Sequence, residues 1–171
     1  MNAGAHRGSM DQVLEQIDLY SLTHAERTLF SADRAGFSYR RSALPEGSIV
    51  IGASVHLHSG EPADIRHEMD EARAWRKATQ PLAEPNCGSV FKNPPEDHAA
   101  RLVEAVGAKG LSVGSAMVSE KHSNFIVARP GVTAADVHRL IQLIQDRVAE
   151  RFDVVLEPEV QLIGDFDLAP L

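Results

Sequence analysis

The clearest pattern in the chain is a strict alternation over residues 48–58, where Ile49, Ile51, Ala53, Val55 and Leu57 recur at every second position. Period two is the mark of a strand with one face turned to a core, so this segment is expected to be a strand with that set buried. Looser spacing of Val13, Ile17 and Leu19 predicts a strand over 12–20, with a helix over 10–17 as the competing reading. A short helical turn over 31–36, ended by Gly36, delivers Tyr39 and Arg40 into the next loop. After Gly60-Glu61-Pro62, the helical spacing of Ile65, Met69, Ala72 and Trp75 predicts a helix over 63–79.

The run Gln80-Pro81-Leu82-Ala83-Glu84-Pro85 cannot continue that helix and places a domain boundary there, dividing the chain into 1–79 and 80–171. In the second part, a helix over 97–106 is closed by Gly107 and turns Leu102, Val103 and Val106 inward. Residues 110–124 read as loop and 125–128 as a short buried strand. Thr133, with Asp136 three residues on, caps a helix running to 151, whose Val137, Leu140, Ile141, Ile144 and Val148 lie on one stripe. A last strand over 154–163 is expected to put Leu156, Val160 and Leu162 on one face and Glu157, Glu159 and Gln161 on the other. This order of elements suits an α+β fold.

Composition narrows the classes. A chain of 171 residues with 43% hydrophobic content can build a core. A net charge of −7 without any basic run argues against nucleic-acid binding. No apolar run approaches the ~20 residues of a membrane span and the first thirty residues are not signal-like, so a cytoplasmic protein is expected. The single cysteine, Cys87, excludes an internal disulfide and a thiolate cluster, and a packing role suits it better than a nucleophile's. His56 and His58 have no third ligand at suitable spacing, so they read as solvated strand residues, and no metal is expected.

The chemistry concentrates in Gly88-Ser89-Val90-Phe91-Lys92-Asn93-Pro94, where a hydroxyl, a cation and a carboxamide sit in a segment punctuated by glycine and proline. A shaped loop or edge strand is expected there. Together with Val118-Ser119-Glu120-Lys121-His122-Ser123-Asn124-Phe125-Ile126, Leu156-Glu157-Pro158-Glu159-Val160, Asn2-Ala3-Gly4-Ala5 and Tyr39-Arg40-Arg41-Ser42, it resembles the C-terminal half of the UDP-N-acetylenolpyruvoylglucosamine reductase (MurB, UDP-N-acetylmuramate dehydrogenase) family.

The resemblance implies a remnant of a flavin-binding, β-rich lobe followed by a compact α+β substrate-binding domain, without the family's N-terminal flavin lobe and its pyrophosphate loop. It implies reduction of an enolpyruvyl ether in peptidoglycan precursor synthesis, with FAD as the redox group and NADPH as electron donor. Ser89 would be the proton donor, Arg40 the partner of the substrate carboxylate, and Glu159 a hydrogen-bond acceptor on the same charge cluster. Lys92, Asn93, Lys121 and His122 would bind the UDP-sugar, and Asn2, Ala3, Gly4 and Ala5 would line the flavin. Arg7-Gly8-Ser9 departs from the family's glycine-glycine-glutamate run and weakens the flavin site, so a separate flavin-lobe chain is a candidate partner. The alternative reading is a non-catalytic UDP-sugar-binding module that has lost the redox lobe.

Overall fold

The computed structural model describes residues 1–5, 8–164 and 166 and divides into two units, Met1–Met69 and Asp70–Leu171. In the first unit, β1 (Gly4–Ala5) pairs with β2 (Gly8–Ser9), and a single 3-10 turn, Met10–Gln12, follows. From Leu14 the chain is extended, so the helix considered over 10–17 survives only as that turn. Strands β3 (Leu14–Ser21), β4 (Glu26–Ser31) and β5 (Ser48–Val55) form an antiparallel sheet in the order β4-β3-β5. Ile17, Leu19 and Phe30 bury one face against Ala35, which lies in the 3-10 turn Ala32–Ala35. Gly36 ends that turn at φ +52°, the left-handed conformation that glycine adopts without strain.

The alternating set over 48–58 is not buried as its period suggests. Ile49, Ile51, Val55 and Leu57 are all exposed, and the strand stops at Val55. Two causes act together. β5 is an outer strand, and its register shifts where Asp18 faces Gly52 but Leu19 faces Val50, which leaves Ile51 as the extra residue of a bulge. The bulge changes which residues stand opposite the core, with Ala53 against Ile17, Val50 against Leu19 and Ile49 against exposed Tyr20, yet Ala53 and Val50 are exposed too, so the outer position of the strand leaves both of its faces open. Helix α1 (Pro62–Thr79) forms where its spacing predicts, with the boundary between units inside it, but none of its residues is buried and Ile65, Met69 and Trp75 face outward.

The second unit has a four-stranded antiparallel sheet, β6 (Asn86–Ser89), β7 (Ser112–Val113), β8 (Ala116–Val118) and β9 (Phe125–Ala128), in the order β6-β9-β8-β7. Helices α2 (Ala99–Ala105) and α3 (Ala134–Phe152) contribute to its core. The predicted stripe of α3 is inside: Leu140, Ile141, Ile144 and Val148 are buried, each worth about 1.5–3 kcal/mol for an aliphatic side chain taken from water. Its cap is reciprocal, with Thr133 Oγ1 accepting from Asp136 N at 3.1 Å and the Asp136 carboxylate accepting from Thr133 N at 3.0 Å.

Two expectations fail here. Residues 110–124 contain the β7–β8 hairpin, whose strands of two and three residues are too short to show a period. Residues 154–163 form no strand. Pro158 has no N–H to give a ladder, and a lone bridge to Phe91 remains. Leu156 is buried and Leu162 is exposed, so the supposed common face does not exist.

Candidate functional site

Gly88 sets the shape of the central segment. Its φ of +84° is open to glycine, and no atom lies within 4 Å of where a Cβ would be, so conformation rather than crowding requires it. The turn carries Ser89 to the end of edge strand β6, opposite Phe125, with its side chain at the surface. The chain then dives inward. Val90 and Phe91 are only 1% and 2% exposed, and as they leave the sheet their peptide groups are taken up by neighbouring segments. Val90 N donates to Asn124 O at 2.9 Å, Lys92 N to Glu157 O at 2.9 Å, and Glu159 N to Val90 O at 2.8 Å. The segment 157–159 thus lies alongside 90–92 and brings Glu159, half-buried, next in line to Ser89.

Lys92 ion-pairs with Glu157, Nζ to Oε1 at 2.5 Å, with its side chain 15% exposed against 55% for the glutamate. Asn93 Oδ1 accepts from Ala99 N at 3.1 Å, holding the first peptide of α2. Glu159 is thus seated opposite Val90, one residue from Ser89, and Lys92 and Asn93 continue the same segment. Lys121 is turned to other work, its ammonium donating to Lys77 O in the last turn of α1. His122 packs edge-on to Phe125 at 4.8 Å, and its Nδ1 accepts from Asn124 N at 3.2 Å. That bond places the proton of the neutral ring on Nε2, and burial pushes the imidazole below its ordinary pKa.

Three polar residues were not singled out by sequence. Ser119 and Ser123 are buried; Ser119 Oγ accepts from Lys121 N at 3.1 Å, and Ser123 Oγ donates to Ala100 O at 2.6 Å. Asn124, 5% exposed, bonds the two peptide groups that flank the Phe91 Cα, Oδ1 accepting from Phe91 N at 2.9 Å and Nδ2 donating to Phe91 O at 2.8 Å. The available signal was small polar residues leading directly into the apolar run of β9. The Cys87 thiol on β6 is raised above its ordinary pKa by partial desolvation, which is the opposite of an activated thiolate.

In the first unit, Asn2 is buried and its Oδ1 accepts from Asp11 N at 3.1 Å, while Met10 N donates to Ala3 O at 2.9 Å. The start of the 2–5 segment is thereby tied to residues 10 and 11. Arg40 has φ +54°, lays its guanidinium over Tyr39 at 4.9 Å, and donates from Nη2 to Gly4 O at 3.1 Å. Two segments 36 residues apart in sequence meet there. A Cβ at Gly4 would lie 3.1 Å from Arg40 Nη1. Ser9 Oγ donates to the Asp11 carboxylate. Arg7 lies outside the described residues.

Among the described residues, no group of three or more His, Cys, Asp or Glu is placed to hold a metal ion, and no helix is long and apolar enough to cross a membrane. Residues 80–163, which include the Ser89–Asn93 segment and Glu159, match the family of UDP-N-acetylenolpyruvoylglucosamine reductase C-terminal domains. Over those residues the chain belongs to that family.

Curated relatives of the reductase family extend the similarity to nearly the whole chain. The chain is 44% identical over 166 residues to the UDP-N-acetylenolpyruvoylglucosamine reductase of Anaeromyxobacter sp. (strain K), covering 97% of this chain and 50% of that protein. It is 44% identical over 165 residues to that of Latilactobacillus sakei subsp. sakei (strain 23K), covering 96% and 54%. The crystal structure of UDP-N-acetylenolpyruvylglucosamine reductase (MurB) from Thermus caldophilus superposes with a TM-score of 0.82 at 35% identity, covering 94% of this chain and 57% of that one. The α+β class read from the sequence is the class observed. The chain spans about half the length of the curated relatives it matches.

Proposed function

We propose that this chain is the substrate-binding part of a UDP-N-acetylmuramate dehydrogenase, reducing UDP-N-acetylenolpyruvoylglucosamine to UDP-N-acetylmuramate in cytoplasmic peptidoglycan precursor synthesis, and so serving cell-wall growth and division. The observation that carries the reading is the hydrogen bond from Glu159 N to Val90 O, which sets the glutamate beside the segment that presents Ser89. In this reading residues 1–79 belong to the flavin-binding part and 80–171 form the substrate-binding domain.

The residues fit the flavin along one edge. Ala3 and Ala5 are exposed and Gly4 lies between them, so Asn2-Ala3-Gly4-Ala5 offers a surface of small groups to a flat ring system, with buried Asn2 as its anchor. When bound, FAD supplies the hydride for one carbon of the enolpyruvyl double bond, having drawn its electrons from NADPH. Ser89 Oγ–H gives a proton to the neighbouring carbon, next to the carboxylate, and the serine alkoxide is then reprotonated. A neutral hydroxyl can do this because the enolate it meets is very basic. Arg40 pairs with the substrate carboxylate, and Glu159 serves as a hydrogen-bond acceptor. Lys92, Asn93, Lys121 and His122 supply donors for the diphosphate, uridine and sugar.

The test is Ser89→Ala, followed with reduced flavin and substrate. Oxidation of reduced flavin by substrate is expected to slow by ~10²–10⁴-fold while reduction by NADPH stays near normal, since only the oxidation of the flavin by substrate uses the proton donor. Saturable binding of the UDP-sugar without any turnover by the unsubstituted chain supplied with flavin would favour a binding module instead.

A further inference from the structure

Asn124 holds a position that neither the sequence pattern nor the assigned site residues account for. It has one of the few buried polar side chains among the described residues, and both ends of its carboxamide are spent on one residue, Phe91, on the two peptide groups that flank its Cα. Its own backbone carbonyl accepts from Val90 N, so three hydrogen bonds from one residue reach the two positions immediately after Ser89. From Val90 the chain has left β6, and although Val90 O and Lys92 N bond the 157–159 segment, no strand lies on the other side to take up Phe91 N and Phe91 O. A buried peptide without partners costs about 1–3 kcal/mol per group, so a segment that turns inward here needs a substitute for the ladder.

We propose that Asn124 is the positioning residue of the Ser89 site: its carboxamide replaces a neighbouring strand, fixes Phe91, and so sets the direction in which Ser89 leaves β6. The inference rests on the reading of Ser89 as proton donor. The geometry explains why an amide is used. A carboxylate could accept from Phe91 N but could not donate to Phe91 O, a hydroxyl is too short to reach both atoms, and an aliphatic side chain of equal size satisfies neither. On its other side, Val90 O accepts from Glu159 N, so the peptide groups fixed by Asn124 also bear the bond that seats Glu159. Movement of Phe91 is thereby passed to both the hydroxyl and the glutamate.

Two measurements test this on the full chain. In the first, amide hydrogen exchange is followed by NMR in Asn124→Asp, which loses the donor, and Asn124→Leu, which loses donor and acceptor. Exchange at Val90, Phe91 and Glu159 is expected to accelerate on the order of 10- to 100-fold, with Leu140 and Ile144 in α3 unchanged. Unchanged protection at Phe91, or uniform loss through α3 in both variants, overturns the proposal, the second because Asn124 would then merely hold the fold. In the second, Asn124→Asp is combined with Ser89→Ala and the oxidation of reduced flavin by substrate is timed. A residue acting through Ser89 slows the reaction alone but adds nothing in the Ser89→Ala background, whereas multiplied losses overturn the proposal. If the unsubstituted chain, supplied with flavin and a flavin-lobe chain, turns over substrate and Ser89→Ala leaves that rate unchanged, the role of Ser89 falls and with it the catalytic half of the inference, while the exchange data still decide whether Asn124 holds the segment.

Discussion

Asn93 Oδ1 accepts from Ala99 N at 3.1 Å, so the carboxamide assigned to the substrate also starts helix α2. The bond spans six residues and holds the loop end of the Ser89 segment against the helix that follows it. On the proposed reading a ligand contact and a capping contact meet in one side chain, and a truncation removes both.

Asn93→Ala is expected to lower stability by ~0.5–2 kcal/mol, the range for a lost helix cap, as well as weakening UDP-sugar binding. Asn93→Asp separates the two effects. It keeps an acceptor for Ala99 N and puts a negative charge at a helix N-terminus, so the chain should be as stable as before. Binding should nonetheless weaken, because a carboxylate cannot donate and repels a diphosphate. Thermal unfolding and calorimetric titration with UDP-N-acetylglucosamine check the pair, and an Asp variant that binds normally would remove the Asn93 amide from the ligand site.

How much was legible in the sequence depended on whether local signals and long-range partners agreed. Helix α3 was read in full because Thr133, Asp136 and the Leu140–Ile144–Val148 stripe all state the same thing within one element. Strand β5 was located but its burial was misread, since the bulge at Ile51 is a property of its pairing with β3 and leaves no trace in its own alternation. The tail 154–163 was misread for a related reason: its partners are the single residues of the 90–92 segment, and Pro158 interrupts any ladder. Motif residues Ser89 and Glu159 are proposed on resemblance alone, whereas Asn124 gave no signal of its own, because its hydrogen bonds go to the backbone of another segment.

The exposure of β5 gives a stability prediction. Ile17, 3% exposed, lies under the first unit's small core, and Ile17→Ala should cost about 2–5 kcal/mol. Ile51 is 52% exposed at the bulge, so Ile51→Ala should fall within ~0.5 kcal/mol of the parent. Equal losses in urea unfolding would restore the alternating reading.

The reciprocal cap of α3 predicts a matched pair. Thr133→Ala leaves Asp136 N without its side-chain acceptor and should cost ~0.5–2 kcal/mol, whereas Thr133→Ser keeps the hydroxyl and should cost far less. Chemical denaturation of both variants measures the difference, and identical losses would mean that the methyl group, not the hydroxyl, is what matters.

Asp97 supplies a pH dependence whose sign is fixed by its surroundings. Arg101 grips its carboxylate, Nε donating to Oδ1 at 2.7 Å with Nη2 on Oδ2, and His98 N also donates to Oδ1 at 2.7 Å. The arginine bonds, followed by the backbone bond, hold the carboxyl pKa down at about 2, against an ordinary value of 3.8. A carboxyl depressed in the folded state binds its proton more readily when unfolded, so its contribution is complete above pH 3.8 and is lost as pH falls toward about 2. Because the pair is open to solvent, the loss should be small and should shrink further in high salt. Stability measured from pH 5 downward should therefore fall more steeply in the parent than in Asp97→Asn, with the two curves separating most between pH 3.8 and about 2. Arg101→Gln should flatten the same window without neutralising the acid, and if only the Asp97 variant did so, the arginine would not be what depresses the carboxyl.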